Sequence, residues 1–208
     1  MKQLRLLAIL LMSFSLSYDD VFDGIPSQFS GLNFFIGGAA QSHGGDFGYG
    51  DYKMQGALMP MLRVEGAYQK ESGMWVNGAV LTFNTGLMDS VLFESGPEKL
   101  EVTYPFAVGL SLRRGFLFNP STVFAAHVGI GTEWVKYTEN SVTYEDSSLY
   151  LNSGVTLVLG VLMKWGIEMG LDLHANQNVE TKVSGDEIVK PSQFSWLGKF
   201  GIVYHPES

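Results

Sequence analysis

The chain has no cysteine. Disulfides, thiolate metal sites, a cysteine nucleophile and a lipid anchor on cysteine are excluded with it. Charge is scarce: 16% of the 208 residues are Asp, Glu, Lys or Arg, against about 25% in an average soluble domain. Basic charge is scarcest, with 13 Lys and Arg against 21 acids and a formal net charge of −8. No basic cluster reverses this locally, which argues against nucleic acid as a partner. After the first seventeen residues no apolar run reaches the ~20 residues of a membrane helix. Glycine, by contrast, is abundant at 25 residues, and aromatics make up 13%.

The start of the chain reads as an export signal. Lys2 and Arg5 precede the apolar run "LLAILLMSFSL", and the small residues Ser15 and Ser17 stand just before Tyr18, Asp19 and Asp20. The expected organisation is a signal peptide over 1–17, a periplasmic lead-in over 18–30, a barrel over 31–204 and a tail over 205–208.

From Gly31 to Tyr204 the sequence alternates with period two in eight stretches, as strands with two distinct faces do. They span about 31–41, 55–68, 74–84, 100–112, 122–137, 150–163, 166–177 and 193–204. Along the seventh, Ile167, Met169, Leu171, Leu173 and Ala175 alternate with Glu168, Gly170, Asp172, His174 and Asn176. The sixth carries Leu151, Val155, Leu157, Leu159, Val161 and Met163 on one face. The third alternates least. Pro60 and Pro105 remove ladder donors, so bulges or gaps in pairing are expected there. The stretches are longer than the usual strand of five or six residues and long enough to cross a bilayer when tilted. Their polar faces mix charge with glycine, alanine and serine, the size range that a narrow barrel interior needs. Aromatics gather near the ends, at Tyr68, Trp75, Tyr104, Trp134, Tyr137, Tyr150, Trp165, Trp196 and Tyr204. An exported soluble barrel is the competing reading.

The pattern predicts an all-β fold, an eight-stranded antiparallel up-and-down transmembrane barrel. Connections at about 42–54, 85–99, 138–149 and 178–192 are long and acidic and should face outward. Those at about 69–73, 113–121 and 164–165 are shorter and should be periplasmic, with both termini on their side. The middle one, "RRGFLFNPS", is read as a longer turn at the inner interface. Asp46 and Asp51 lie in the glycine-rich first outer connection without calcium-loop spacing, so no metal is assigned and no cofactor is expected.

These features resemble the small outer-membrane barrels of Gram-negative bacteria, the OmpA transmembrane-domain and OmpX/OmpW-like superfamily. The last strand, "WLGKFGIVYH", is similar to the C-terminal signal of such barrels, with Lys199, Gly201 and Tyr204 at its polar, glycine and hydrophobic positions. Pro206 departs from it. The resemblance implies outer-membrane lipid and lipopolysaccharide as surroundings, the barrel assembly machinery as a partner in biogenesis, and a monomer. Lipid A deacylases of similar build carry a histidine and a serine two apart. His174 matches the histidine, but Asn176 stands in the serine's place.

Parity puts Arg63, Glu65, Glu101, His127, Glu133, Glu168, Asp172, His174 and Lys199 inside the barrel. Buried charges must be paired or hydrogen-bonded, so these are expected to form a packed polar network. That favours a structural, envelope-integrity or surface-interaction role, the outer connections being where an extracellular ligand would bind. Two alternatives stay open. One is a narrow channel favouring cations. The other is a lipid A-modifying hydrolase, with His174, Ser195 and Asp172 as its candidates.

Overall fold

The computed structural model describes residues 29–43, 48–49, 52–53, 58–87, 91–95, 98–139, 142–162, 164–176, 181–183, 186–188 and 194–206. The expected signal peptide, Asp46, Asp51 and Met163 lie outside them.

Eight long strands form the barrel: β1 (Gly31–His43), β2 (Leu58–Ser72), β3 (Trp75–Gly86), β4 (Glu98–Asn119), β5 (Thr122–Glu139), β6 (Val142–Leu162), β7 (Trp165–Asn176) and β8 (Phe194–Tyr204). Each pairs antiparallel with its sequence neighbours, and β1 pairs with β8, so the sheet closes. Closure leaves no backbone edge along the paired wall, which is what lets strands cross lipid. No helix among the described residues is long and apolar enough to cross a membrane. The twelve residues of β7 reach about 40 Å along the strand, or about 30 Å of height at a tilt of ~40°.

The two faces are inverted relative to a soluble barrel. Leu112, Ile130, Phe200 and Ile202 are exposed on the outside, Leu112 at 68%. Arg63, Glu65, Glu168, Asp172 and Lys199 are buried inside, none above 4%. An exported soluble barrel would carry these sets the other way round. Paired aromatics ring both ends of the outer face. Trp75–Phe116 (5.5 Å) and Trp165–Tyr204 (4.6 Å) lie toward the short turns. Phe83–Phe106 (6.1 Å) and Phe106–Trp134 (4.4 Å) lie toward the long connections. Rings at these two levels suit the headgroup regions.

Three expectations are corrected. Residues 113–119 are not a turn: β4 runs on to Asn119, and only Pro120 and Ser121 turn the chain. Alternation simply continues through "RRGFLFN", with Arg113, Gly115 and Leu117 inward. Most of the connection read at 138–149 is strand as well, because β5 and β6 stay paired out to Glu139↔Val142. Of the bulge or pairing gap expected at Pro60, the structure shows the gap. The register of Pro60 with β1 is unbroken from Ser42↔Leu58 onward. Its carbonyl accepts from Leu87 N, and the β3 ladder ends at Met61↔Gly86. In a strand a residue's N and C=O point the same way, so the missing donor faces the side where pairing stops. Tyr150 does not join the outer girdle; it is buried inside at 3%. The irregularity expected at Pro105 is present, as a register shift between Thr103 and Phe106.

The strands differ in length by design of the ladder. β4 and β6, at 22 and 21 residues, continue past β7 and β8 at the long-connection end. The β7 pairing of β6 stops at Asn176↔Tyr150. Val91–Ser95 and Tyr52–Lys53 add further strands to this raised part of the sheet.

Candidate functional site: the charged lumen

Inward residues fall into three tiers. The tier at the short-turn end is apolar, built from Phe29, Val76, Leu117, Val123, Ala125, Val158 and Val203. Phe29 comes from the stretch read as a lead-in, and it packs inside the mouth. Its carbonyl accepts from Asn33 Nδ2 at 3.2 Å, and its ring meets the His205 ring edge-on at 5.4 Å. His205 Nδ1 in turn contacts Asn33 Oδ1. Residues flanking the two ends of the barrel wall therefore close this mouth together. Burial pushes the imidazole of His205, one residue beyond β8, down to about 4.

The middle tier is ionic. Glu65 is the hub: its Oε1 lies 2.6 Å from Arg63 Nε and 2.6 Å from Lys199 Nζ, and its Oε2 lies 2.9 Å from Arg113 Nη2. Glu168 Oε1 lies 2.5 Å from Lys199 Nζ and 3.2 Å from Arg113 Nη2. Asp172 faces Arg63 Nη1 at 2.8 Å and His127 Nε2 at 3.2 Å. The groups come from β2, β4, β5, β7 and β8, so the network ties opposite walls of the lumen. Three permanent cations (Arg63, Arg113, Lys199) meet three carboxylates (Glu65, Glu168, Asp172), and the tier balances. Gly154 leaves the room that Asp172 needs. A Cβ there would lie 2.5 Å from Asp172 Oδ1 and 2.8 Å from His127 Cε1.

The tier toward the long connections is hydrogen-bonded. Gln41 Nε2 donates to Ser195 Oγ at 3.0 Å, and Asn152 Nδ2 donates to Ser111 Oγ at 3.0 Å. Ser148 Oγ donates to Glu133 Oε1 at 3.3 Å. Tyr150 stacks on His174 with ring centroids 4.6 Å apart. Gly109 makes space for the Tyr150 phenol, since a Cβ on it would meet the hydroxyl at 2.6 Å.

Of the residues singled out by sequence, Arg63, Glu65, His127, Glu168, Asp172 and Lys199 meet in the middle tier. Glu133 and His174 stand in the tier above. Glu101 pairs with Thr138 through the backbone register of β4 and β5. The hydrolase candidates come only partly together. His174 and Ser195 are register partners on β7 and β8. Asp172, however, faces Arg63 and His127, and the Ser195 hydroxyl is engaged by Gln41. The His174 Nδ1 is buried without a hydrogen-bond partner in the structure, whereas an activating histidine needs an orienting group there. Arg113 is the residue missed from sequence. Its signal is the parity of β4, which continues through it beyond the expected end at 112.

No protein-family model matches the sequence, and no curated protein matches it. Solved structures do match in fold. The attachment invasion locus protein Ail of Yersinia pestis superposes with a TM-score of 0.51 at 15% identity, over 84% of this chain and 98% of that one. Neisserial surface protein A gives 0.51 at 8% identity, over 84% and 95%. What is shared at such identities is the fold: an eight-stranded antiparallel barrel.

Proposed function

We propose that the protein is a closed, non-conducting barrel of the bacterial outer membrane. Its work is structural, and it holds the long connections at the cell surface with both termini in the periplasm. The carrying observation is the balanced ion network across the lumen. An eight-stranded interior is only wide enough for side chains to fill it. A cation on its way through would have to displace Lys199 or Arg113 from carboxylates already held at 2.5–3.2 Å. The apolar tier around Phe29 then adds a second barrier, one that offers an ion no ligands. Conductance of the refolded protein in a planar bilayer is the test. A flat trace is expected, and discrete cation-selective steps would replace the plug with a pore.

A surface-interaction role draws on one further observation. β4, β5 and β6 continue beyond the last β7 pair, so a raised sheet stands at the long-connection end. Shortening the β5–β6 hairpin by removing 136–145 should leave the barrel folded and abolish adhesion of cells expressing it. Unchanged adhesion would leave the structural role alone.

A further inference from the structure

Charge on the outside of the barrel is sorted by sign. Among the described side chains, the exposed charged ones are Lys70, Arg114, Lys136 and Lys164, all cations, while every carboxylate is buried or half-buried. Composition does not dictate this, since acids outnumber bases overall. Three of the four, Lys70, Arg114 and Lys164, lie toward the short turns.

Two of those three share a row. Lys70 on β2 is the register partner of Asn77 on β3, and Asn77 is the partner of Arg114 on β4. All three are exposed and point away from the lumen. Neighbouring strands stand about 4.8 Å apart, so Lys70 and Arg114 flank Asn77 with backbones about 10 Å apart. The Arg114 guanidinium sits over the Trp75 ring at 4.3 Å. Trp75 lies two residues closer to the turn, so Arg114 reaches down the wall toward the headgroup level, as long cations do in membranes. Stacking on the indole fixes the plane of the guanidinium and leaves its N–H edges free for a bidentate acceptor.

We propose that Lys70, Asn77 and Arg114 form a binding site for the phosphate of an anionic glycerophospholipid in the periplasm-facing leaflet. The phosphodiester lies over Asn77, whose amide donates to it between the two cations. The acyl chains lie along the apolar wall, where Ala79 and Leu112 continue the same strands. Two cations against one phosphate favour a headgroup with net negative charge, of the phosphatidylglycerol kind. This site depends on the barrel lying in a bilayer, but not on its being closed to ions.

Native mass spectrometry of the refolded barrel in maltoside micelles tests it, with phosphatidylglycerol, diacylglycerol of the same chains and free glycerophosphoglycerol as probes. A one-to-one adduct with phosphatidylglycerol is expected, and much weaker ones with the other two. Lys70→Gln and R114Q should each weaken the lipid adduct about fivefold, and both together about thirtyfold. That is the fold-change of ~1 kcal/mol per cation near a charged surface. Lys164→Gln, off the row at the same end, should leave it unchanged. β-sheet circular dichroism confirms that each variant is folded. Equal binding of diacylglycerol, equal binding of the free headgroup, or indifference to the double substitution in a folded barrel overturns the site while leaving the conductance result standing. Loss on Lys164→Gln equal to that on R114Q overturns it too.

Discussion

Replacing Lys199 with methionine removes one of the two cations that join Glu65 to Glu168. Both carboxylates are buried, at 2% and 1% exposure, and each loses its shortest or equal-shortest contact, 2.6 and 2.5 Å. Breaking one partner out of a buried ion pair costs about 3–5 kcal/mol, because a charge is left in a low-dielectric site. Arg113 Nη2 still faces both carboxylates, which places the expected loss near ~3 kcal/mol. At an m-value of roughly 2 kcal/mol/M in urea, the unfolding midpoint should fall by about 1.5 M. The assay is equilibrium unfolding of the refolded barrel in lipid, followed by tryptophan fluorescence and by gel mobility of the unheated protein. The decisive arm is the double variant. Lys199→Met with Glu168→Gln leaves Arg63 and Arg113 against Glu65 and Asp172, again balanced. It should be more stable than Lys199→Met alone, by about 1 kcal/mol or more, a coupling within the range for residues in one network. If the single change costs less than about 1 kcal/mol, or if the second adds its own loss in full, charge balance is not what holds the lumen together.

Four further outcomes follow. Gly154→Ala puts a Cβ against Asp172 Oδ1 and the carbonyl of Leu171, so it should cost about 1–3 kcal/mol as overpacking does; an unchanged midpoint would mean that Asp172 has room to move. Phe29→Ala empties the mouth at the short-turn end and should cost about 3–4 kcal/mol, read by the same unfolding curve. His205 binds its proton less readily when folded (about 4) than its ordinary 6.5. The unfolded chain therefore takes up the extra proton, and the His205 share of stability is full above pH 6.5 and is lost as pH falls toward 4. Unfolding midpoints measured from pH 7.5 to 4 should drop across that window, and His205→Phe should flatten the drop. Lipid A from expressing cells should keep its mass, because Ser195 and His174 lack an oriented third group; a deacylated product that disappears in Ser195→Ala would restore the enzyme.

Much of the fold was written in period two. Alternation is a local property, so the eight strands and most of their inward faces could be read one stretch at a time. The ends of the strands could not. Whether 138–149 leaves the sheet depends on whether β5 and β6 still have each other as partners there, and pairing is a property of two segments at once. The fate of Pro60 was equally non-local, since it turns on which neighbour its nitrogen faces. Tyr150 shows a different failure. Its even number puts it with Asn152 and Gly154 on the polar face, its chemistry suits a girdle, and in the structure parity wins. The glycines opposite, Gly109 among them, are what make an inward tyrosine possible.

Arg113 and Arg114 carry the same lesson to the functional sites. Side by side in sequence, they read as one basic pair in a turn. In a strand they cannot act together, because successive side chains point to opposite faces. Arg113 enters the lumen and meets Glu65 and Glu168; Arg114 leaves the wall and settles on Trp75. Once β4 is extended through them, their separate roles follow without further information. One completes the charge balance of the interior: without Arg113 the middle tier would hold two permanent cations against three carboxylates. The other supplies the exterior with a cation at the level where lipid phosphates lie. The boundary of one strand therefore decides both sites, and a substitution of Arg113 should disturb stability while the same substitution at Arg114 should disturb lipid binding alone.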